Sequence, residues 1–272
     1  MSDHSSSSTF FGVLVISHGS RSADWVRLVD EAVAAVRVSD GVPVYASYLE
    51  LVEGRLIQDG ITALEEQGVT DIAVVPLFLS SGSTHLDEIR YALGLQAEPK
   101  LPTELELFRV HARLHWGWPI DDDPDTASLL YTNLAALSVN PASETVIIVG
   151  HGSEEPGFHE RWQQGLSLLA ERLRTLGGFG EVTTAMLLPD QVKRRMERLH
   201  KEKPKDAVII APFFLSEGYF TRHVIPSRLQ GFDYRYNGRA LLPSPLVSRW
   251  MEKQITALLT SAGAPNYERT GD

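Results

Sequence analysis

The chain repeats itself. Val13-Leu-Val-Ile-Ser-His-Gly-Ser20 returns as Val146-Ile-Ile-Val-Gly-His-Gly-Ser153, and Ile72-Ala-Val-Val-Pro-Leu-Phe-Leu-Ser-Ser-Gly82 returns as Val208-Ile-Ile-Ala-Pro-Phe-Phe-Leu-Ser-Glu-Gly218. Two long echoes in the same order and at nearly the same offset mark a duplication, which restricts the fold to two copies of one supersecondary unit. Each unit reads strand, helix, strand, helix, strand. Val13–Ser17, Ile72–Leu79, Val146–Val149 and Val208–Phe214 are short, nearly continuous apolar runs of the kind buried on both faces of a parallel sheet. Val42–Leu49 and Val182–Leu188 supply the other strands. Helical spacing appears in Trp25, Leu28, Val29, Ala32, Val33 and Val36, and again over Leu56–Leu64, His85–Leu93, Trp162–Leu176 and Gln191–His200.

Such alternation builds right-handed crossovers, so the expected fold is α/β: two tandem, duplicated, open parallel-sheet lobes facing a cleft. The turn-rich stretch from Ser138 to Glu144 is the expected linker. The expected division is a disordered tail over 1–10, an N-terminal domain over 11–138, a C-terminal domain over 139–262, and a second tail over 263–272. Ligands in open parallel sheets bind beyond the carboxyl ends of the strands, which is where both His-Gly-Ser motifs fall.

Charge and composition narrow the function. Against 25 Lys and Arg stand 35 Asp and Glu, a formal charge of −10, which argues against a general grip on nucleic acid or an anionic membrane. There is no cysteine, which removes thiolate nucleophiles and soft metal sites. The longest apolar stretch, Ile72–Leu79, is interrupted by Pro76 and falls far short of the roughly 20 residues a membrane helix needs. The Ser-rich start has no basic or apolar signal region, so the cytoplasm is the expected location.

His18 follows a buried strand directly, and His151 occupies the same place in the second copy. Ser83-Thr84-His85-Leu86-Asp87-Glu88 lies at the end of the third strand and the start of a helix, where His85 and Glu88, three apart, share a face. His18, His85 and Glu88 therefore form a candidate set of two imidazoles and one carboxylate. These ligands suit Fe, Co, Ni or Zn, and the open positions suit a labile ion more than a closed structural zinc site. Thr84 with Asp87 fits a capping box. In the second copy, aligning the glycines puts Thr221 opposite His85 and Val224 opposite Glu88, so that half reads as weakened, with His151 and His223 left as a different possible pair. His111 and His115 lie in a stretch that suits a strand running into a loop as well as a helix, and Asp121-Asp122-Asp123 reads as a helix cap. His4, His159 and His200 have no constellation around them. Arg21, Arg90, Arg109 and Arg113 are candidate anion contacts, against the commoner reading of a solvated face.

Ser-His-Gly-Ser-Arg after the first strand, Tyr48-Leu-Glu50 at the second, and Val74-Val-Pro-Leu-Phe-Leu before Ser-Gly-Ser-Thr-His85, with the tandem copy, resemble the class II tetrapyrrole chelatases. Within them the chain is similar to the sirohydrochlorin cobaltochelatase and ferrochelatase family, over nearly all of residues 11 to 260. The resemblance implies an enzyme, a lyase, that inserts Co²⁺ or Fe²⁺ into sirohydrochlorin on the way to cobalamin or sirohaem, with no dissociable cofactor and the divalent metal as substrate. It places the family's metal-binding histidines on His18 and His85. Where the family has Asp-Ile-Pro after the second histidine, this chain has Asp87-Glu88-Ile89-Arg90, and Glu50 matches a glutamate frequent in the family whose role stays open. Ser83, Thr84 and Arg21 are the expected anchors for the carboxylates of the macrocycle. A single chain is expected to suffice, since a tandem duplication does the work of a homodimer. The rivals are a non-catalytic carrier of metal or tetrapyrrole, and a histidine phosphatase, whose arginine before the histidine is replaced here by Ser17.

Overall fold

The computed structural model describes residues 9–263. His4 and nearly all of the two expected tails lie outside the described residues. The first half folds as β1 (Phe11–Ser17), α1 (Ala23–Ala34), β2 (Val44–Tyr48), α2 (Ile57–Glu66), β3 (Asp71–Pro76), α3 (Thr84–Ala92), β4 (Arg113–Trp116) and α4 (Pro124–Leu134). The second continues with β5 (Glu144–Gly152), α5 (Phe158–Gly177), β6 (Glu181–Leu188), α6 (Val192–Glu202), β7 (Ala207–Pro212), a π-helical turn over Phe220–Val224, α7 (Ile225–Arg228) and α8 (Pro245–Ser261). The expected linker holds a 3₁₀ turn, Pro141–Ser143.

All strands pair in parallel, in the orders β2-β1-β3-β4 and β6-β5-β7. This is the expected pair of parallel-sheet lobes. Each sheet is covered on both sides, which explains the continuous apolar runs: alternate residues of one strand face opposite helical layers. Leu14, Ile16, Ile72 and Val74 pack with α2 and α3, while Val13, Val15, Ala73 and Val75 face inward. In the second sheet Ile147, Val149 and Ile210 pack with α6 and α7, and Val146, Ile148, Ile209 and Ala211 face inward.

The two inward faces share one core because the helices at the ends of the halves change sides. α4 packs on α5 and β7, and Asn133 Nδ2 donates to the Ala240 carbonyl at 2.9 Å. α8 packs on β3 and α1, with Ser248 Oγ donating to the Ala32 carbonyl at 2.8 Å. Ser244 and Pro245 start α8 with an N-cap and a proline in its first turn, and Trp250, Met251, Ile255 and Leu259 bury its inner stripe.

Two sequence readings are settled here. The stretch containing His115 is the strand β4 and not a helix: His115 Nε2 pairs with Asp71 Oδ1 at 2.9 Å, and His111 is exposed. The second sheet replaces β4 by a single bridge, Ile209 to Arg235. Asp123 is the N-cap of α4, accepting from the Asp125 amide at 2.9 Å, as the Asp run suggests.

Candidate active site between the two lobes

β1 delivers His18 to the end of the sheet, and the backbone then turns sharply. Gly19 has φ +99°, and a Cβ there would overlap the Glu50 carbonyl oxygen, so only glycine lets the chain pass between His18 and the end of β2. Gly152 repeats the device with φ +82°, its missing Cβ making room for the Leu188 carbonyl. The motif His-Gly is thus a backbone requirement in both lobes.

The His18 ring Nδ1 lies 3.1 Å from the Gly19 carbonyl. A carbonyl only accepts, so Nδ1 carries the hydrogen and the Nε2 lone pair is free in the neutral ring. That Nε2 stands 3.7 Å from Glu50 Oε1. His85, in the first turn of α3, places Nδ1 at 2.6 Å from Glu88 Oε1, while Thr103 Oγ1 donates to Glu88 Oε2 at 2.9 Å. The carboxylate fixes the tautomer so that His85 also offers Nε2. The two rings meet edge to face, 4.6 Å between centroids and 76° between planes. Burial pushes the Glu88 carboxyl up, but hydrogen bonds from His85 and Thr103 and the charges of His85 and His18 outweigh it, and its pKa lies below the ordinary value.

Glu88 therefore stands behind His85, on the side of its Nδ1. Among the described residues no three His, Asp or Glu side chains are grouped to hold one metal ion. The i to i+3 spacing that suggested a shared ligand brings Glu88 to the other nitrogen of His85 instead. Asp87 is not a capping residue either. It is buried and accepts from Gln96 Nε2 at 3.0 Å and the Lys100 amide at 2.6 Å, holding the loop after α3. The N-cap of α3 is Ser83, whose side chain makes no capping bond.

His18, His85, Ser83 and Thr84 open on a cavity of about 740 Å³. Its opposite wall comes from the second lobe: His151, Leu188, Tyr219 and Phe220. The expected cleft is thus real. Arg21 is exposed and is not part of the cavity wall, although Ser20 and Ser22 on either side are. Arg90 lies over the Trp116 ring and Arg113 beside Asp71. Arg109 borders a separate groove with Gln58, Glu65 and His111.

The second lobe keeps the histidine and loses its partner. His151 Nδ1 lies 3.1 Å from the Gly152 carbonyl, the same distance as in the first copy. The ring facing it is Phe220, at 5.2 Å and 84°. Phe220 also stacks on Phe214, the counterpart of Phe78, which lies beside His85 in the first copy. Phe220 thus occupies the place of His85, one residue before the Thr221 that aligned glycines select. His223 is exposed and packs against Tyr219, so His151 and His223 do not form a pair. His159 Nδ1 bonds the Ser153 carbonyl, and His200 is exposed on α6. Thr103, Tyr219 and Phe220 escaped the sequence reading. Thr103 lies in a patternless loop, and the two aromatics carry no motif.

A family model described as CbiX matches residues 12–137 and 145–258. The chain is 27% identical over 224 residues to the sirohydrochlorin ferrochelatase of Priestia megaterium, covering 78% of this chain and 76% of that protein. A solved structure of SirB from Bacillus subtilis with Fe3+ superimposes with a TM-score of 0.72 at 22% identity, covering 96% of this chain and all (100%) of that one. A second, the sirohydrochlorin chelatase SirB of Bacillus subtilis subspecies spizizenii in complex with cobalt, gives 0.67 at 19% identity, again over 96% of this chain and 100% of that one. With both halves matched by the family model, and with the duplicated lobes and His-Gly strand ends that the structure displays, the chain belongs to the CbiX family.

Proposed function

We propose that this protein is a metal chelatase that inserts Co²⁺ or Fe²⁺ into sirohydrochlorin. The observation that carries the reading is the pair of Nε2 lone pairs that His18 and His85 present to a cavity large enough for a flat macrocycle. Two imidazoles leave most coordination positions to water, so the ion stays exchangeable. A site with four protein ligands would keep it. The metal is a substrate, and the ligand types also accept Ni²⁺ or Zn²⁺.

In this mechanism His18 and His85 hold the hydrated ion at the cavity wall while the macrocycle docks beside it. The pyrrole N–H protons leave as the metal–nitrogen bonds form. One of the two protons passes to an imidazole as it lets go of the metal and the other to water in the open cavity, while Glu50, beside His18, pairs with the imidazolium. Glu88 keeps His85 in the ligating tautomer. Ser83 and Thr84, at the start of α3, offer backbone N–H groups to a carboxylate of the macrocycle. Arg21 keeps a smaller part, as an exposed charge beside the wall. The working unit is proposed to be one chain in the cytoplasm, without nucleic-acid or membrane partners. The acidic charge supports this, and none of the described helices is long and apolar enough to cross a membrane.

The test is anaerobic incubation with sirohydrochlorin and Co²⁺ or Fe²⁺, followed by macrocycle absorption. Wild type accelerates insertion, His18→Ala and His85→Ala lower the rate by 100-fold or more, on the order expected when a metal ligand is lost, and His151→Ala retains turnover. Loss of activity only in His151→Ala moves the site to the second lobe. Metal binding without acceleration makes the protein a carrier.

A further inference from the structure

The cavity has two unlike walls. The first lobe contributes the facing imidazoles of His18 and His85, and the second contributes His151 with Tyr219 and Phe220, which are 70% and 38% exposed although aromatic. Phe220 is braced from below by Phe214, stacked at 5.5 Å with 17° between planes, and from the side by the edge of His151. Tyr219 meets Phe220 edge to face at 5.9 Å. The π-helical turn that carries them is itself fixed: Tyr236 Oη donates to the Thr221 carbonyl at 2.6 Å, and Thr221 Oγ1 accepts from the Gly218 amide at 3.0 Å. Exposed aromatic faces on a rigid base inside a cavity favour a flat conjugated ligand, because stacking desolvates both surfaces without requiring matched hydrogen bonds. Among the described residues no lysine or arginine lines the cavity, and Glu154, Glu155 and Glu217 do. A polycarboxylate held there must keep its charged arms at the mouth and its ring system against the aromatics.

We propose that Tyr219 and Phe220 are the docking shelf for the macrocycle, so that the decayed second copy of the metal site has become the substrate-positioning wall. The proposal rests on the chelatase reading and deepens it. It explains why the ring opposite His151 is apolar: a second imidazole there would compete for the ion, whereas a phenyl group binds only the organic substrate. The shelf contributes to sirohydrochlorin affinity and leaves metal affinity to the first lobe.

The experiment measures sirohydrochlorin binding without metal, by absorption and by quenching of intrinsic fluorescence, together with KM for sirohydrochlorin, KM for Co²⁺ and kcat. Variants are Tyr219→Ala, Phe220→Ala, Phe220→Leu and Phe220→Tyr. The expected result is a rise of about tenfold or more in the dissociation constant and KM for sirohydrochlorin in Phe220→Ala and Phe220→Leu. KM for Co²⁺ stays within about twofold, and Phe220→Tyr recovers near wild-type binding. Tyr219→Ala shifts sirohydrochlorin affinity in the same direction. If Ala at 220 unfolds the protein, the Leu and Tyr pair carries the comparison, since both keep the bulk and only one keeps the π face. Unchanged macrocycle affinity in Phe220→Leu, or a change in KM for Co²⁺ alone, overturns the shelf. Wild type that binds sirohydrochlorin through these residues without inserting metal keeps the shelf and overturns the chelatase reading. Wild type that neither binds nor inserts overturns both.

Discussion

Glu88 is the residue whose place spacing alone did not settle. An i to i+3 relation on a helix brings two side chains to one face, but it does not say which atoms they turn toward each other. Here the carboxylate meets His85 Nδ1 and is pinned by Thr103, so it orients the His85 ring from behind. Glu88→Gln preserves the shape and removes the charge. The expected outcome is a loss of about 10- to 100-fold in Co²⁺ affinity, read by titration, with the thermal midpoint little changed. An unchanged affinity would mean that His85 needs no such orientation. His18 and His85 were legible because a histidine after a buried strand, and another after the neighbouring strand, must meet at the same sheet edge. Phe220 was not legible, since its identity as the counterpart of His85 depends on a π-helical turn that shifts the alignment by one residue.

At the scale of the element, the strands and most helices follow from periodicity, because a parallel strand covered on both faces must be apolar throughout. β4 stayed ambiguous for the opposite reason. Its Arg-Leu-His-Trp sequence lies at a sheet edge, half exposed, where polar residues are tolerated and no continuous run is needed. α8 carries the clearest mechanical consequence. It comes last among the described elements yet covers β3 and α1 of the first lobe, with Trp250 almost fully buried in the shared core. Trp250→Ala is expected to cost about 3–5 kcal/mol in stability, measured by urea unfolding. Its effect should reach the His18 and His85 site in the first lobe, seen as weakened Co²⁺ binding. A cost below about 1 kcal/mol would show that α8 is not part of the shared core.

Over the whole molecule, a continuous core joins the duplicated halves. Glu144 ties several of its parts at the junction. Its carboxylate is buried and accepts from Ser138 Oγ at 2.5 Å, from the Val139 and Asn140 amides, and from Arg235 Nη1 at 2.7 Å. Burial pushes its pKa up, but these donors outweigh burial and hold it below the ordinary value. A carboxyl depressed in the folded state contributes its full stability above its unfolded pKa and loses it as pH falls through the folded value. Glu144→Gln should therefore destabilise the protein at neutral pH by about 1–3 kcal/mol and flatten the acid limb of the stability profile. Parallel profiles for wild type and variant would assign the acid limb to other carboxylates.

The duplication, the parallel sheets and the histidines at the strand ends can all be read from the order of residues along the chain. These are properties of local pattern: burial on both faces dictates apolar runs, a sharp turn dictates glycine after histidine, and the absence of thiols restricts the ligands. Which nitrogen each carboxylate meets, which ring opposes His151, and which lobe α4 and α8 each cover are set by the packing of the folded chain. Those outcomes depend on contacts between residues distant in the chain, and their geometry is fixed when the two halves close over one core.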